Sequence, residues 1–295
     1  MAVTISNWDT KIFSQDVIKA FSEAGRIPDN SYMLTNTNES IVVYGNLASV
    51  TPANTADGAT DLADAGNTET STTVEADAPL KVWAYIPMSA ISTHGSANVV
   101  ANYAEHLGQQ LRMAYEKRLA NLLCTTSPTS VTFDDELTDS TLGTSVAQAL
   151  KNVASTFDTN FTPIDGRYCL LRPNEFTSLY NVAGVRSSDF ISGVDNGKAF
   201  QSMNFMGMTV VSYTGDFKTD KSADTNYSSK YRVNLSNVYG VAWHKSALAC
   251  NWYQAPVVTS DEIPEKDCVL VKARLVMGTG LTRGAGYRIV INGDA

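Results

Sequence analysis

Apolar side chains recur at steps of three and four along one stretch of the chain, at Val100, Tyr103, Leu107, Leu111, Tyr115, Leu119, Leu122 and Leu123. That period places a single stripe on one face of a helix. Residues 96–124 hold no proline, one internal glycine (Gly108) and mostly strong helix formers. Ser96 fits an N-cap, and Lys117 and Arg118 lie toward the end where the helix dipole favours cations. Pro128 blocks continuation. Asn98, Asn102, Glu105, Gln109, Arg112 and Glu116 fall on the opposite side and are expected to face water. At 1.5 Å per residue the rod is roughly 40 Å long, well beyond an average globular helix.

The same patterning predicts the other elements. Residues 9–24 read as an amphipathic helix with Trp8, Ile12, Phe13, Val17, Ala20 and Phe21 on its apolar face, stopped by Gly25 and Pro28. Its aromatic residues suit docking on the core or on a neighbouring subunit. Residues 40–50 and 79–87 read as strands, the second with Leu80, Val82, Ala84 and Ile86 alternating with Lys81, Trp83 and Tyr85. Between them lies a long segment of Ala, Thr, Asp, Asn and Gly with almost no large apolar side chain. Such a connection is either a disordered tether or a functional loop; two flanking strands favour a projecting two-stranded loop spanning 45–79 that buries little against its own subunit.

After the rod, 125–140 reads as a turn-rich connection and 141–157 as a second helix, with Leu142, Val146, Leu150, Val153 and Phe157 on one face. A strand at 166–173 runs into a short helix begun by Pro173. A single strand is expected over 205–213, an exposed polar loop over 214–230 and a strand pair over 237–254. Two last strands close the chain, joined by a glycine-rich turn at 278–286. Helices interleaved with mostly antiparallel strands make an α+β chain.

Charge sharpens this picture. The formal charge is -8, and no lysine or arginine occurs between Arg26 and Lys81, where Asp57, Asp61, Asp64, Glu69, Glu75 and Asp77 lie. The second half is richer in base, including Arg186, Lys198, Lys218 and Lys221. An acidic segment is therefore expected to meet a basic surface, on the same chain or on a copy of it. An acidic chain argues against a dedicated nucleic-acid groove. No apolar run approaches the ~20 residues of a membrane span, and the first residues lack a signal-peptide pattern, so a soluble protein made in the cytoplasm is expected.

Candidate chemistry is sparse. Cys124, Cys169, Cys250 and Cys268 show no CxxC spacing and are expected as buried free thiols. His94, His106 and His244 have no metal-binding spacing. The glycines of 278–286 match neither GxGxxG nor the Walker pattern. The acidic pairs Asp134–Asp135 and Asp261–Glu262 sit among turn residues and are expected to be solvated. No catalytic set emerges, so no enzyme activity, cofactor or metal is expected.

Two stretches carry a resemblance, RYCLLRPNEFTSLYN (167–181) and GKAFQSMNFMGMTVVSY (197–213), together with the order of elements along the chain. They are similar to segments of the major capsid proteins of tailed, podovirus-like bacteriophages, the Hong Kong 97 fold. The resemblance covers essentially the whole chain. It implies an N-terminal arm at 1–40 and an extended loop at 41–86. It implies a peripheral domain at 87–140 and 255–295 built on the long spine helix, and an axial domain at 141–254. It further implies hexamers and pentamers of the chain forming an icosahedral shell that encloses double-stranded DNA, with separate scaffolding and portal proteins and no membrane. Contacts between copies are expected at Asp57, Asp61, Asp64 and Glu69, at Trp8 and Phe13, and at Arg186, Lys198, Lys218 and Lys221. In the covalently cross-linked relative a loop lysine bonds to a neighbour's asparagine; here the loop holds no lysine before Lys81, so that bond is not expected. An encapsulin-like compartment shell shares the fold and stands as the alternative, ahead of a cytoplasmic enzyme or binding module.

Overall fold

The computed structural model describes residues 15, 17–21, 32–34, 41–46, 70–89, 96–182 and 202–294. Two sheets organise them. One has four strands in the order β1 (Tyr32–Leu34), β10 (Leu248–Ile263), β11 (Cys268–Leu281), β4 (Leu80–Pro87). The other has six, in the order β5 (Thr129–Phe133), β12 (Arg288–Gly293), β9 (Val238–His244), β6 (Arg167–Leu171), β8 (Met208–Ser212), β7 (Ser202–Phe205). A separate antiparallel pair joins β2 (Ile41–Asn46) to β3 (Thr70–Val74).

The long helix α1 (Ser96–Leu123) forms where the period predicts it. Leu107, Leu111, Tyr115, Leu119, Leu122 and Leu123 are all buried, in one cluster with Leu80, Ile86, Val269, Val271, Ala273 and Leu275 of the four-stranded sheet. The strand β4 alternates as read, with Leu80 and Ile86 buried and Lys81, Trp83 and Tyr85 exposed.

The six-stranded sheet is covered on both faces. Tyr168, Leu170, Val241, Trp243 and Val290 point into the cluster around α1. Their sequence neighbours Cys169, Leu171, Ala242, Ile289 and Ile291 pack instead with Leu142, Val146, Leu150, Val153 and Phe157 of α2 (Asp139–Thr159) and Phe176 of α3 (Pro173–Ser178). Strands buried on both faces carry near-continuous apolar runs, which is why β6 and β9 show no alternation. All four cysteines are free and buried. His244 is nearly buried, with Nδ1 accepting from the Ser246 amide and Nε2 facing the Asp165 carbonyl. Burial lowers its pKa and keeps it neutral.

Several expectations are corrected. Arg112 and Glu116 do not face water: they are 2% and 3% exposed, with Arg112 Nε donating to Glu116 at 2.9 Å. The reason is a third layer. The N-terminal helical segment 17–21 lies across α1, and the Arg112 guanidinium stands 5.3 Å from the rings of both Phe21 and Tyr115. Gly108 permits that approach, because a Cβ there would lie 2.6 Å from the Val17 carbonyl.

Strand pairing also differs. The strand 80–87 pairs with β11, and the partner of β2 is β3, inside the segment read as loop. β9 and β10, read as a pair, belong to different sheets, as do β11 and β12. The glycines 278 and 280 lie within β11 rather than in a turn. The connection after α1 contains β5, an edge strand parallel to β12. The single strand expected at 205–213 is a hairpin, turned at Met206 and Gly207, both with positive φ. Residues 214–230 are not simply exposed: Asp216 is buried, receiving Tyr227 Oη at 2.5 Å, Lys117 Nζ at 3.2 Å and Asn121 Nδ2 at 3.4 Å.

Leu111→Asp is expected to abolish soluble folding, since an uncompensated buried charge costs several kcal/mol. Gln109→Asp, on the exposed side, is expected to leave soluble yield unchanged. Equal yields would reverse the face assigned to the helix. Glu116→Ala is expected to destabilise by about 3–5 kcal/mol by breaking the buried pair with Arg112. The double replacement Arg112→Met with Glu116→Leu is expected to lose less than Glu116→Ala alone, read by denaturant melts.

Candidate assembly surfaces

The base of the acidic loop is fastened to its own chain. Asp77 holds Lys230 at 2.7 Å and accepts a hydrogen bond from Tyr231, while its amide donates to the Met277 carbonyl at 2.8 Å. Tyr253 donates to the Val74 carbonyl at 2.7 Å, Thr72 to the Leu281 carbonyl at 2.7 Å, and Arg118 to the Ala78 carbonyl at 3.0 Å. Close approach requires glycine opposite: a Cβ on Gly278 would lie 2.3 Å from the Glu75 carbonyl. The expected meeting of acidic loop and basic second half is therefore found within one chain at Asp77–Lys230. In the described part of the loop, residues 70–79, Val74 is buried and the chain lies on its own sheet.

Lys218 sits 4.2 Å from the Tyr239 ring centroid and 3.6 Å from Asp135. The Tyr239 hydroxyl donates to Asp135, and chiefly that bond, helped by Lys218 against the effect of burial, keeps the carboxyl below its usual pKa. Asp135 is thus a structural partner rather than a solvated turn residue, whereas Asp261 is exposed as expected and pairs with the exposed Lys272 across β10 and β11 at 2.9 Å. Lys221 pairs with Asp224 at 3.2 Å. Lys218 and Lys221 each already face a carboxylate of their own chain. Asp57, Asp61, Asp64, Glu69, Trp8, Phe13, Arg186, Lys198 and His94 lie outside the described residues.

A cleft of roughly 630 Å³ opens beside the loop base, lined in part by Asp77, Lys230, Thr279, Arg283 and Arg288. Its charged groups serve the fold. Lys230 holds Asp77, and Arg288 donates to the Leu123 and Thr125 carbonyls at the end of α1, at 3.2 and 2.8 Å. Among the described residues no group of three or more His, Cys, Asp or Glu is placed to hold a metal ion, and no helix is long and apolar enough to cross a membrane. Among the described residues the arrangement offers charged surfaces and a tethered loop.

No protein-family model matches the sequence, and no curated protein matches it. Solved structures do. The capsid of cyanophage P-SCSP1u is 17% identical, with a TM-score of 0.66 over 90% of this chain and 86% of that one. The mature capsid of bacteriophage PhiM1 is 10% identical, with a TM-score of 0.62 over 90% and 86%. A virus-like particle from Pyrococcus furiosus is 10% identical, with a TM-score of 0.60 over 97% of this chain and 100% of that one. At such identities the likeness is one of architecture, and it extends over nearly the whole of each chain. The two sheets, the long helix between them and the fastened acidic loop make up the Hong Kong 97-type capsid fold of tailed-phage major capsid proteins.

Proposed function

We propose that this chain is the major capsid protein of a tailed bacteriophage. Copies assemble into hexamers and pentamers that close an icosahedral shell around double-stranded DNA. The observation that carries the reading is the shared architecture with phage capsids over 86% or more of both chains. Residues 1–40 act as arm, 41–86 as extended loop, 87–140 with 255–295 as peripheral domain and 141–254 as axial domain. The net charge of -8 suits a container that encloses DNA without binding its sequence and later releases it. A separate scaffolding protein guides closure, and a portal protein replaces one pentamer.

Contacts between copies fall to the acidic loop (Asp57, Asp61, Asp64, Glu69), the aromatic residues of the arm (Trp8, Phe13) and basic residues of the second half. Arg186 and Lys198 are two of these basic candidates. Lys218 and Lys221 would have to share the carboxylates they already face. Each exposed pair contributes little alone, about 0–1 kcal/mol, and repetition at every contact makes the sum large.

A compartment shell is the second reading, favoured by the complete coverage of the Pyrococcus furiosus virus-like particle. Purified protein is expected to form capsomers or shells by size-exclusion chromatography and electron microscopy. Shells that form with host DNA only when a scaffolding partner is co-expressed support the phage head. Uniform small shells from the chain alone support the compartment, and a persistent monomer contradicts both.

A further inference from the structure

Four arginines are buried among the described residues, Arg112, Arg118, Arg167 and Arg288. Arg112 pairs with Glu116 and Arg167 with Asp158, while Arg118 lies 5.5 Å from the Tyr231 ring. Arg288 has neither kind of partner. It is 3% exposed, and both of its hydrogen bonds to the end of α1 leave from Nη1. Its Nε is buried with no hydrogen-bond partner, and no described carboxylate lies within ion-pair distance. The Cys124 thiol beside it is pushed up to about 12 by burial and stays uncharged, so it is no counter-ion. A buried cation is ordinarily compensated by an anion, and an orphaned buried donor marks a place for one.

This guanidinium lines an open cleft rather than a closed core, the cleft of roughly 630 Å³ beside the loop base. Lys230 and Arg283 line the same space, together with the hydroxyl-bearing Thr126 and Thr279. Against these three cations stand two carboxylates, Glu75 and Asp77, and Asp77 is already held by Lys230 at 2.7 Å. One positive charge remains in excess, which suits a small anion and falls far short of a nucleic-acid groove. Arginine with lysine and hydroxyl donors is the chemistry that holds phosphate oxygens. We propose that this cleft binds a small phosphate-class oxyanion, free phosphate or a phosphate monoester, anchored by Nε of Arg288 and flanked by Lys230 and Arg283. The bound anion compensates the buried cation where β12 holds the last carbonyls of α1. The site depends on neither the shell reading nor any residue outside the described ones.

Isothermal titration calorimetry of the full chain tests it, with inorganic phosphate and glycerol phosphate as probes at an ionic strength held constant with sodium chloride. Saturable binding at one site per chain is expected. Tighter binding of glycerol phosphate assigns the ester, and equal or weaker binding assigns the free ion. Arg288→Lys keeps the charge but removes Nε, and is expected to weaken binding about tenfold or more. Because Arg288 also caps α1, a second variant avoids the cap. Ala285 is exposed and lines the cleft. A285E is expected to weaken binding to a similar degree with an unchanged circular dichroism spectrum, and A285K to bind equally or more tightly. Phosphate is also expected to raise the melting temperature of the wild type, and not that of A285E. No saturable heat, several sites per chain, or unchanged affinity in A285E would overturn the site. A pentaglutamate peptide bound more tightly than either probe would assign the cleft to carboxylates and overturn the phosphate class.

Discussion

The helix Ser96–Leu123 is enclosed on three sides, and the other layers take their positions from it. Its buried side chains share one cluster with residues of both sheets, and the segment 17–21 closes over Gly108. Where these layers meet, the helix has no wet face for its charges, while Glu105 and Gln109 on the remaining side stay exposed. Arg112 and Glu116 are therefore paired with each other in the interior, with Arg112 lying against two aromatic rings. Buried pairs of this kind add little net stability, yet each partner is needed once the other is present.

The end of the helix ties the two sheets together. Its last carbonyls would be unsatisfied at the C-terminus, and Arg288 from β12 supplies the donors. Burial lowers the Arg288 pKa, yet it remains a cation facing the negative end of the helix dipole. Arg118, one turn earlier, reaches the Ala78 carbonyl at the base of the acidic loop. The helix thus sets the position of the loop as well as of both sheets.

Much of this was legible in the residues. Period located the long helix, α2 and β4, and the proline after an apolar run located the strand–helix unit at Arg167–Ser178, although β6 is buried on both faces. The acidic stretch without base was also plain from composition. What escaped were features that depend on a second or third neighbour. The positive-φ turn at Met206–Gly207 lacks the usual asparagine signal, and β5 has too few residues to show a period.

Local pattern alone determined which segments are helix or strand, which faces are apolar and where charge is concentrated. Tertiary structure alone decided which strands share a sheet. β9 and β10 follow each other through Lys245–Ala247 yet enter different sheets, and no short-range signal distinguishes that from a hairpin. It also decided that Gly278 and Gly280 are strand residues beneath a crossing segment rather than a turn, since a missing Cβ is informative only once its neighbour is known. Finally it decided the state of the charges. Whether Asp77, Asp135 or Arg112 faces water or a partner depends on which distant residues the fold brings beside it, and these lie tens to more than a hundred residues away.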